Sequence, residues 1–202
     1  MSAGAGNNTI TVGNGINSIT SAGGNDTITA GNGINVIISG AGNDVITVGT
    51  GYNILDAGAG ADIVTFGTHA AGVVDGVVMG AAGDTISAAT TAAMVTAAAT
   101  DLTGIDVYIG LHAGDTINLS PISNTYTGAL ATTIVGATGT TASIVRGAYD
   151  TTTHIFSASA TGADSLVVYD ADAGGAGTVV DAIVLVGYAG TASAAAGSIT
   201  LA

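Results

Sequence analysis

The chain has 202 residues and a formal net charge of −13, carried by 14 Asp with no Glu and no Lys, against Arg146 as the single basic side chain. Without cations it cannot neutralise phosphates by releasing their counterions, which excludes nucleic acid and anionic membrane as partners and leaves cations as the natural ones. The absence of Cys excludes a disulfide framework, and 33 Gly alongside 48% hydrophobic residues, many of them β-branched, point to strands rather than disorder.

The N-terminus has no basic segment followed by an apolar core, so no cleavable secretion signal or transit peptide is expected, and Met1 reads as an addition made for expression. From Ala3 to Thr65 the chain repeats in frames of nine: AGAGNNTIT, VGNGINSIT, SAGGNDTIT, AGNGINVII, SGAGNDVIT, VGTGYNILD and AGAGADIVT. Each frame joins a Gly-rich turn to a short strand whose middle residue, Ile10, Ile19, Ile28, Ile37, Ile46, Leu55 or Val64, is expected to point inward.

This frame resembles the repeats-in-toxin (RTX) family, whose motif G-G-x-G-x-D-x-U-x forms a parallel β-roll with calcium held between successive turns. The resemblance covers roughly the first third of the chain and implies that two frames make one coil, so that alternate frames stack on the same side, about 4.8 Å apart. One side then carries Asn8, Asp26, Asp44 and Asp62 at the ligand position, and the other carries Asn17, Asn35 and Asn53. Carboxylates at that spacing repel by about 3 to 4 kcal/mol per pair at an effective dielectric near ~20, and Ca2+, with oxygen ligands at about 2.3 to 2.6 Å, relieves the repulsion. Calcium is therefore expected on the Asp side. Carried over from the family's turn, the carbonyl donors are Gly23, Ser39, Gly40, Ala41, Gly42, Gly58, Ala59 and Gly60. On the other side stacked amides can bond to one another without an ion, so Asn17, Asn35 and Asn53 are weaker metal candidates. That asymmetry departs from the family's usual Asp on both sides.

The frame degrades after Thr65, with His69 where a turn glycine belongs and Asp84 keeping only part of the motif as another weaker metal candidate. The roll is expected to occupy residues 1–75, and residues 76–202 a C-terminal β-rich region for capping, assembly and secretion, the whole being all-β. Within it, 88–101 reads as a short helix or a long capping loop. Apolar runs such as IDVYIGL, DTINL, TTIVG, SIVRGAY, THIFSA, DSLVVYD, DAIVLVGY and SITLA then recur at strand-and-turn spacing. The uncharged stretch 182–202 is long enough to span a bilayer, but Gly, Ser and Thr interrupt it, and terminal strands are expected there. Asp164, Asp170 and Asp172 are either a further calcium cage or solvated turn residues. Asp101, Asp106, Asp115, Asp150 and Asp181 have no ligand spacing and are expected to face solvent.

Without Glu or Lys the metalloprotease and P-loop motifs are ruled out, and His69, His112 and His154 lie in separate segments with no Cys, so neither zinc nor catalysis is indicated. The C-terminal stretch SATGADSLVVYDADAGGAG, with its tail ending SITLA, resembles the uncleaved signal of type I-secreted proteins. Together these features imply a non-enzymatic part of a bacterial surface-layer protein, exported by the type I machinery and secreted to the cell surface. It would self-assemble into a lattice on calcium and reach surface polysaccharide through domains upstream. The alternatives are a folding and export module of an exoenzyme or toxin, and an adhesin or ice-binding module. Paired Thr9 and Thr11, and Thr27 and Thr29, suggest the last, although Val45 and Ile63 interrupt the row.

Overall fold

A computed structural model describes residues 1–68, 72–78, 85–87, 100–101, 105–118, 128–129, 143–170, 179–195 and 198–202. All secondary structure among them is β. The repeats form β1 (Thr9–Val12), β2 (Gly15–Thr20), β3 (Thr27–Ala30), β4 (Gly33–Ile38), β5 (Val45–Val48), β6 (Asn53–Asp56) and β7 (Ile63–Phe66). After them come β8 (Gly76–Val78), β9 (Thr85–Ser87), β10 (Thr100–Asp101), β11 (Asp106–Ile109), β12 (Thr116–Asn118) and β13 (Gly128–Ala129). The chain finishes with β14 (Ser143–Asp150), β15 (Ile155–Ala158), β16 (Asp164–Asp170), β17 (Val179–Val186), β18 (Ala192–Ala195) and β19 (Ser198–Leu201).

Odd and even frames separate into two sheets, as an alternating solenoid requires. β1, β3, β5 and β7 stack in parallel in one sheet, with Ile10 on Ile28, Ile28 on Ile46 and Ile46 on Val64. β2, β4, β6 and β8 stack in parallel in the other, with Ile19 on Ile37, Ile37 on Leu55 and Leu55 on Val77. A strand of four residues buries too little to stand alone, so the stack is the unit of stability. The seven middle residues of the frames are all at most 4% exposed and share one core, as their alternation with polar neighbours requires. Ile46→Ala removes a side chain at the centre of that core, and a loss of about 2 to 5 kcal/mol is expected, read as a lowered midpoint of thermal unfolding in saturating calcium.

The turns permit this stacking only because they lack side chains. Gly33 has φ +123°, and a Cβ on it would lie 2.2 Å from the carbonyl oxygen of Gly15 one coil away. No L-residue fits that close approach of backbone to backbone.

Although the nonapeptide frame stops at Thr65, the ladders continue. β11 pairs in parallel with β7, and β12 with β8, after intervening segments that interrupt the regular spacing. β11 then pairs in parallel with β17, which opens an antiparallel run through β16, β14 and β15 to β10, while β9 pairs with the far end of β17. On the other side β12 pairs with β19, and β19 with β18 and then β13. The stretch 182–202 therefore contributes strands, as its interrupted apolar pattern indicates. Val167, Ile183 and Leu185 extend the roll's core, while Leu166, Val168, Ala182 and Val184 join a second core with Ile105, Tyr149 and Phe156. A sheet buried on both faces explains the near-continuous apolar runs DSLVVYD and DAIVLVGY.

Of the segment 88–101, only Thr100 and Asp101 lie within the described residues, as β10. The predicted TTIVG strand and His69 lie outside them.

Candidate metal centre

The Gly-rich turns bring Asp26, Asp44 and Asp62 into a single column, each at most 1% exposed. One bond repeats down it. The Asn8 N–H donates to Asp26 Oδ1, the Asp26 N–H to Asp44 Oδ1, and the Asp44 N–H to Asp62 Oδ1, each at 2.7 Å and each across 18 residues. The column then leaves the repeats, for the Asp62 N–H donates to Asp106 Oδ1 at 2.8 Å. Asp106 is buried rather than solvent-facing, which corrects the expectation drawn from its isolation in sequence.

The second carboxylate oxygens distinguish one coil from the next. Asp26 Oδ2 accepts from Ser21 Oγ at 2.5 Å. Burial raises its pKa, but the bonds from Ser21 and from the Asn8 N–H outweigh that and hold the carboxyl below its ordinary range. One coil on, Ser39 Oγ turns away to the Ala57 carbonyl at 2.7 Å, and Asp44 Oδ2 is buried without a hydrogen-bond partner. Ala57 stands at the corresponding place in the next coil, and Asp62 Oδ2 is likewise buried and unpartnered. Burial, then the charge of Asp106, push the Asp62 carboxyl up to about 8, with Asp44 and Asp56 adding to the shift against the bond from the Asp44 N–H.

The opposite column is chemically different. Asn17 Nδ2 donates to Asn35 Oδ1 at 2.8 Å and Asn35 Nδ2 to Asn53 Oδ1 at 2.7 Å. The same nitrogens cap turn carbonyls, with Asn17 on Gly13, Asn35 on Gly31 and Asn53 on Gly49 and Gly51. These amides use carbonyl lone pairs that an ion would need. Asn8, at the head of the Asp column, does the same, donating to Gly4 O at 2.9 Å and Gly6 O at 2.5 Å. The amide column ends in carboxylates, because Asn53 Nδ2 donates to Asp75 Oδ1 at 3.0 Å and the Asp75 N–H to Asp115 Oδ1 at 2.7 Å. Asp115 is fully buried, with His112 donating from its backbone N–H to Oδ2 at 2.7 Å, so the solvent expectation fails there as well.

Asp75, Asp106 and Asp115 carry a signal that reading for whole frames overlooks. Each opens the second half of one, as DGVV, DVYI or DTIN, in the pattern of Asp26 in DTIT, but with a single glycine just ahead of it, Gly72, Gly104 or Gly114, in place of the pair Gly23 and Gly24. Asp164 is drawn elsewhere: its oxygens accept the N–H groups of Gly187 and Tyr149, both at 2.8 Å, so it serves the backbone of the C-terminal sheet. Of Asp170 only its place at the end of β16 is described, and Asp84 and Asp172 lie outside the described residues. Asp150 is exposed and caps the turn at Thr152 and Thr153, while the side chains of Asp101 and Asp181 lie outside the described set.

The donors of the Asp column, carboxylate and carbonyl oxygens, are of the kind that calcium takes. Among the described residues no three Asp or His side chains converge on one point, so carboxylates alone form no cage. The remaining oxygens have to come from turn carbonyls, as calcium's taste for mixed oxygen shells allows. Those of Gly23, Ala41 and Ala59 each accept one backbone N–H, from Gly6, Gly24 and Gly42, and Gly40 O accepts from Ala59; each keeps a second lone pair. Gly42, Gly58 and Gly60 hold φ at +128°, +90° and +131°, turning their peptide groups as only glycine does readily. Ser39 is fully buried in the same turn. The buried, unpartnered Oδ2 atoms of Asp44 and Asp62 are the positions where a cation offsets an otherwise large desolvation cost.

No curated protein and no solved structure matches the chain. Residues 2–37 and 38–68 do match the family described as RTX calcium-binding nonapeptide repeat (4 copies). Over residues 2–68, then, the chain carries an array of RTX calcium-binding nonapeptide repeats, folded as a parallel β-roll.

Proposed function

We propose that the chain is a structural, non-enzymatic part of a type I-secreted bacterial surface-layer protein that folds and self-assembles when it meets calcium. The observation that carries the reading is the column of buried carboxylates whose Oδ2 atoms at Asp44 and Asp62 have no donor. In a calcium-poor cytoplasm such a column opposes folding and keeps the chain exportable; millimolar calcium outside the cell supplies the missing charge. Assembly between copies is favoured by the outer faces, which carry few charges and expose Ile16 (83%), Ile34 (42%), Val36 and Ile38 on one sheet and Val45 and Ile63 on the other. Attachment to surface polysaccharide through upstream domains belongs to the same proposal.

An adhesin or ice-binding role draws on a different feature. One outward row of threonines, Thr11, Thr29, Thr47 and Thr65, runs through four strands without a break, although the neighbouring row changes from Thr9 and Thr27 to Val45 and Ile63. A folding module of an exoenzyme or toxin would use the calcium column alone.

Far-UV circular dichroism and light scattering during a calcium titration separate these readings. A calcium-specific gain of β structure followed by scattering from ordered sheets is the expected result, with magnesium inert. Folding without scattering would favour the export module, shaped ice crystals the ice binder, and full β structure in chelator would overturn the calcium mechanism.

A further inference from the structure

The last carboxylate of the repeats is not the last of its column. Asp106 lies outside the RTX match yet receives from Asp62 the same N–H bond that links Asp26 to Asp44 and Asp44 to Asp62. The parallel register of β11 on β7, with Val107 on Ile63 and Tyr108 on Val64, sets Asp106 as the next member of the stack after an excursion of 44 residues. Asp62 Oδ1 accepts from the Asp44 N–H, whereas Asp62 Oδ2 is buried and has no partner. Asp106 Oδ2 accepts from the Tyr108 hydroxyl at 3.1 Å. Two buried carboxylates are thus apposed with one oxygen unsatisfied, an arrangement that a hard divalent cation stabilises and that an empty low-dielectric site penalises.

We propose that Asp62 and Asp106 together hold a further calcium ion, at the junction between the repeat array and the C-terminal sheet. The proposal rests on the calcium reading of the repeats and adds to it a ligand that no nonapeptide supplies. Its consequence is coupling. β11 pairs with β7 on one side and with β17 on the other, so an ion at its first residue ties the order of the C-terminal sheet to that of the roll. The competing arrangement is a proton shared between the two carboxyls, with no ion.

The test uses the intact chain. Calcium bound at saturation is counted by equilibrium dialysis for the wild type and for Asp106→Asn. Terbium, a calcium substitute, is read by emission excited through tyrosine in the wild type and in Tyr108→Phe, which keeps both carboxylates. We expect Asp106→Asn to bind one calcium fewer, and Tyr108→Phe to keep the wild-type ion count while losing most of the tyrosine-sensitised terbium emission. An unchanged count in Asp106→Asn, or unchanged emission in Tyr108→Phe, overturns the site. If Asp106→Asn does not fold, or loses more than one ion, the emission of Tyr108→Phe decides. Absence of calcium binding by the wild type would instead overturn the reading of the repeats themselves.

Discussion

Asp44→Ala is expected to abolish the calcium-driven folding of the roll at calcium concentrations that saturate the wild type. Asp44 stands mid-column, its Oδ1 accepting from the Asp26 N–H and its own N–H donating to Asp62. The substitution keeps the Asp44 backbone N–H bond to Asp62 but leaves the buried Asp26 N–H without its acceptor, at about 1 to 3 kcal/mol. It also takes a carboxylate from the junctions on both sides, and under the proposed calcium binding the loss of ions there outweighs that bond. Asp44→Asn preserves the acceptor and removes only the charge, and separates the two contributions: it should retain coil-to-coil order but need at least tenfold more calcium to fold. The measurement is the calcium midpoint of the β transition by circular dichroism. A wild-type midpoint in Asp44→Ala would mean that the column is not the metal centre.

The stability of the calcium-free roll is expected to fall as pH rises from about 4 to about 8. Asp62 has its carboxyl pushed up to about 8 in the folded chain, against an ordinary value of 3.8. Between those values the folded state holds a proton that the unfolded state has released, so the slope is negative, about 1.4 kcal/mol per pH unit from this group alone. The favourable contribution is complete below the unfolded pKa and lost once pH passes the folded one. Asp26 acts in the opposite sense and at lower pH: its depressed pKa gives stability that is present above 3.8 and lost as pH falls through the folded value. Folding driven by the osmolyte trimethylamine N-oxide in chelator, followed by circular dichroism at pH 5 and pH 8, measures the net effect through its midpoint, and Asp62→Asn should flatten it. Because calcium displaces the same proton, binding near pH 7 should release protons, seen as a calorimetric heat that varies with the ionisation enthalpy of the buffer. Equal chelated stability at both pH values would show that Asp62 is ionised in the metal-free fold.

The roll is legible in the sequence because each of its physical requirements leaves a mark at fixed spacing. The inward Ile row, the turn glycines and the segregation of Asp from Asn all recur every 18 residues, and the structure stacks them in that register. Legibility fails where the column outlives its period. Asp106 joins Asp62 across 44 residues and Asp115 joins Asp75 across 40, and no fixed frame anticipates partners brought together by an excursion of that length. The C-terminal strands were visible as apolar runs, but not their order. β16 and β17 are buried on both faces, so the alternation that would tell one face from the other is absent.

Each junction between repeat coils on the Asp side, from Asn8 to Asp62, is bonded in both directions. The Asp26 N–H reaches forward to Asp44, while the Asn43 N–H reaches back to Asn25 Oδ1 at 3.0 Å; the same pairing joins the Asn8 N–H to Asp26 and the Asn25 N–H to Asn7. The array therefore has a grammar for changes of length. Adding or deleting 18 residues changes the number of junctions and leaves every remaining one with its own partners. Half that length would slide the amide column over the carboxylate column and mismatch every later coil. Arrays of this kind can lengthen or shorten only by whole coils, and under the proposed calcium binding their ion capacity would change in the same steps.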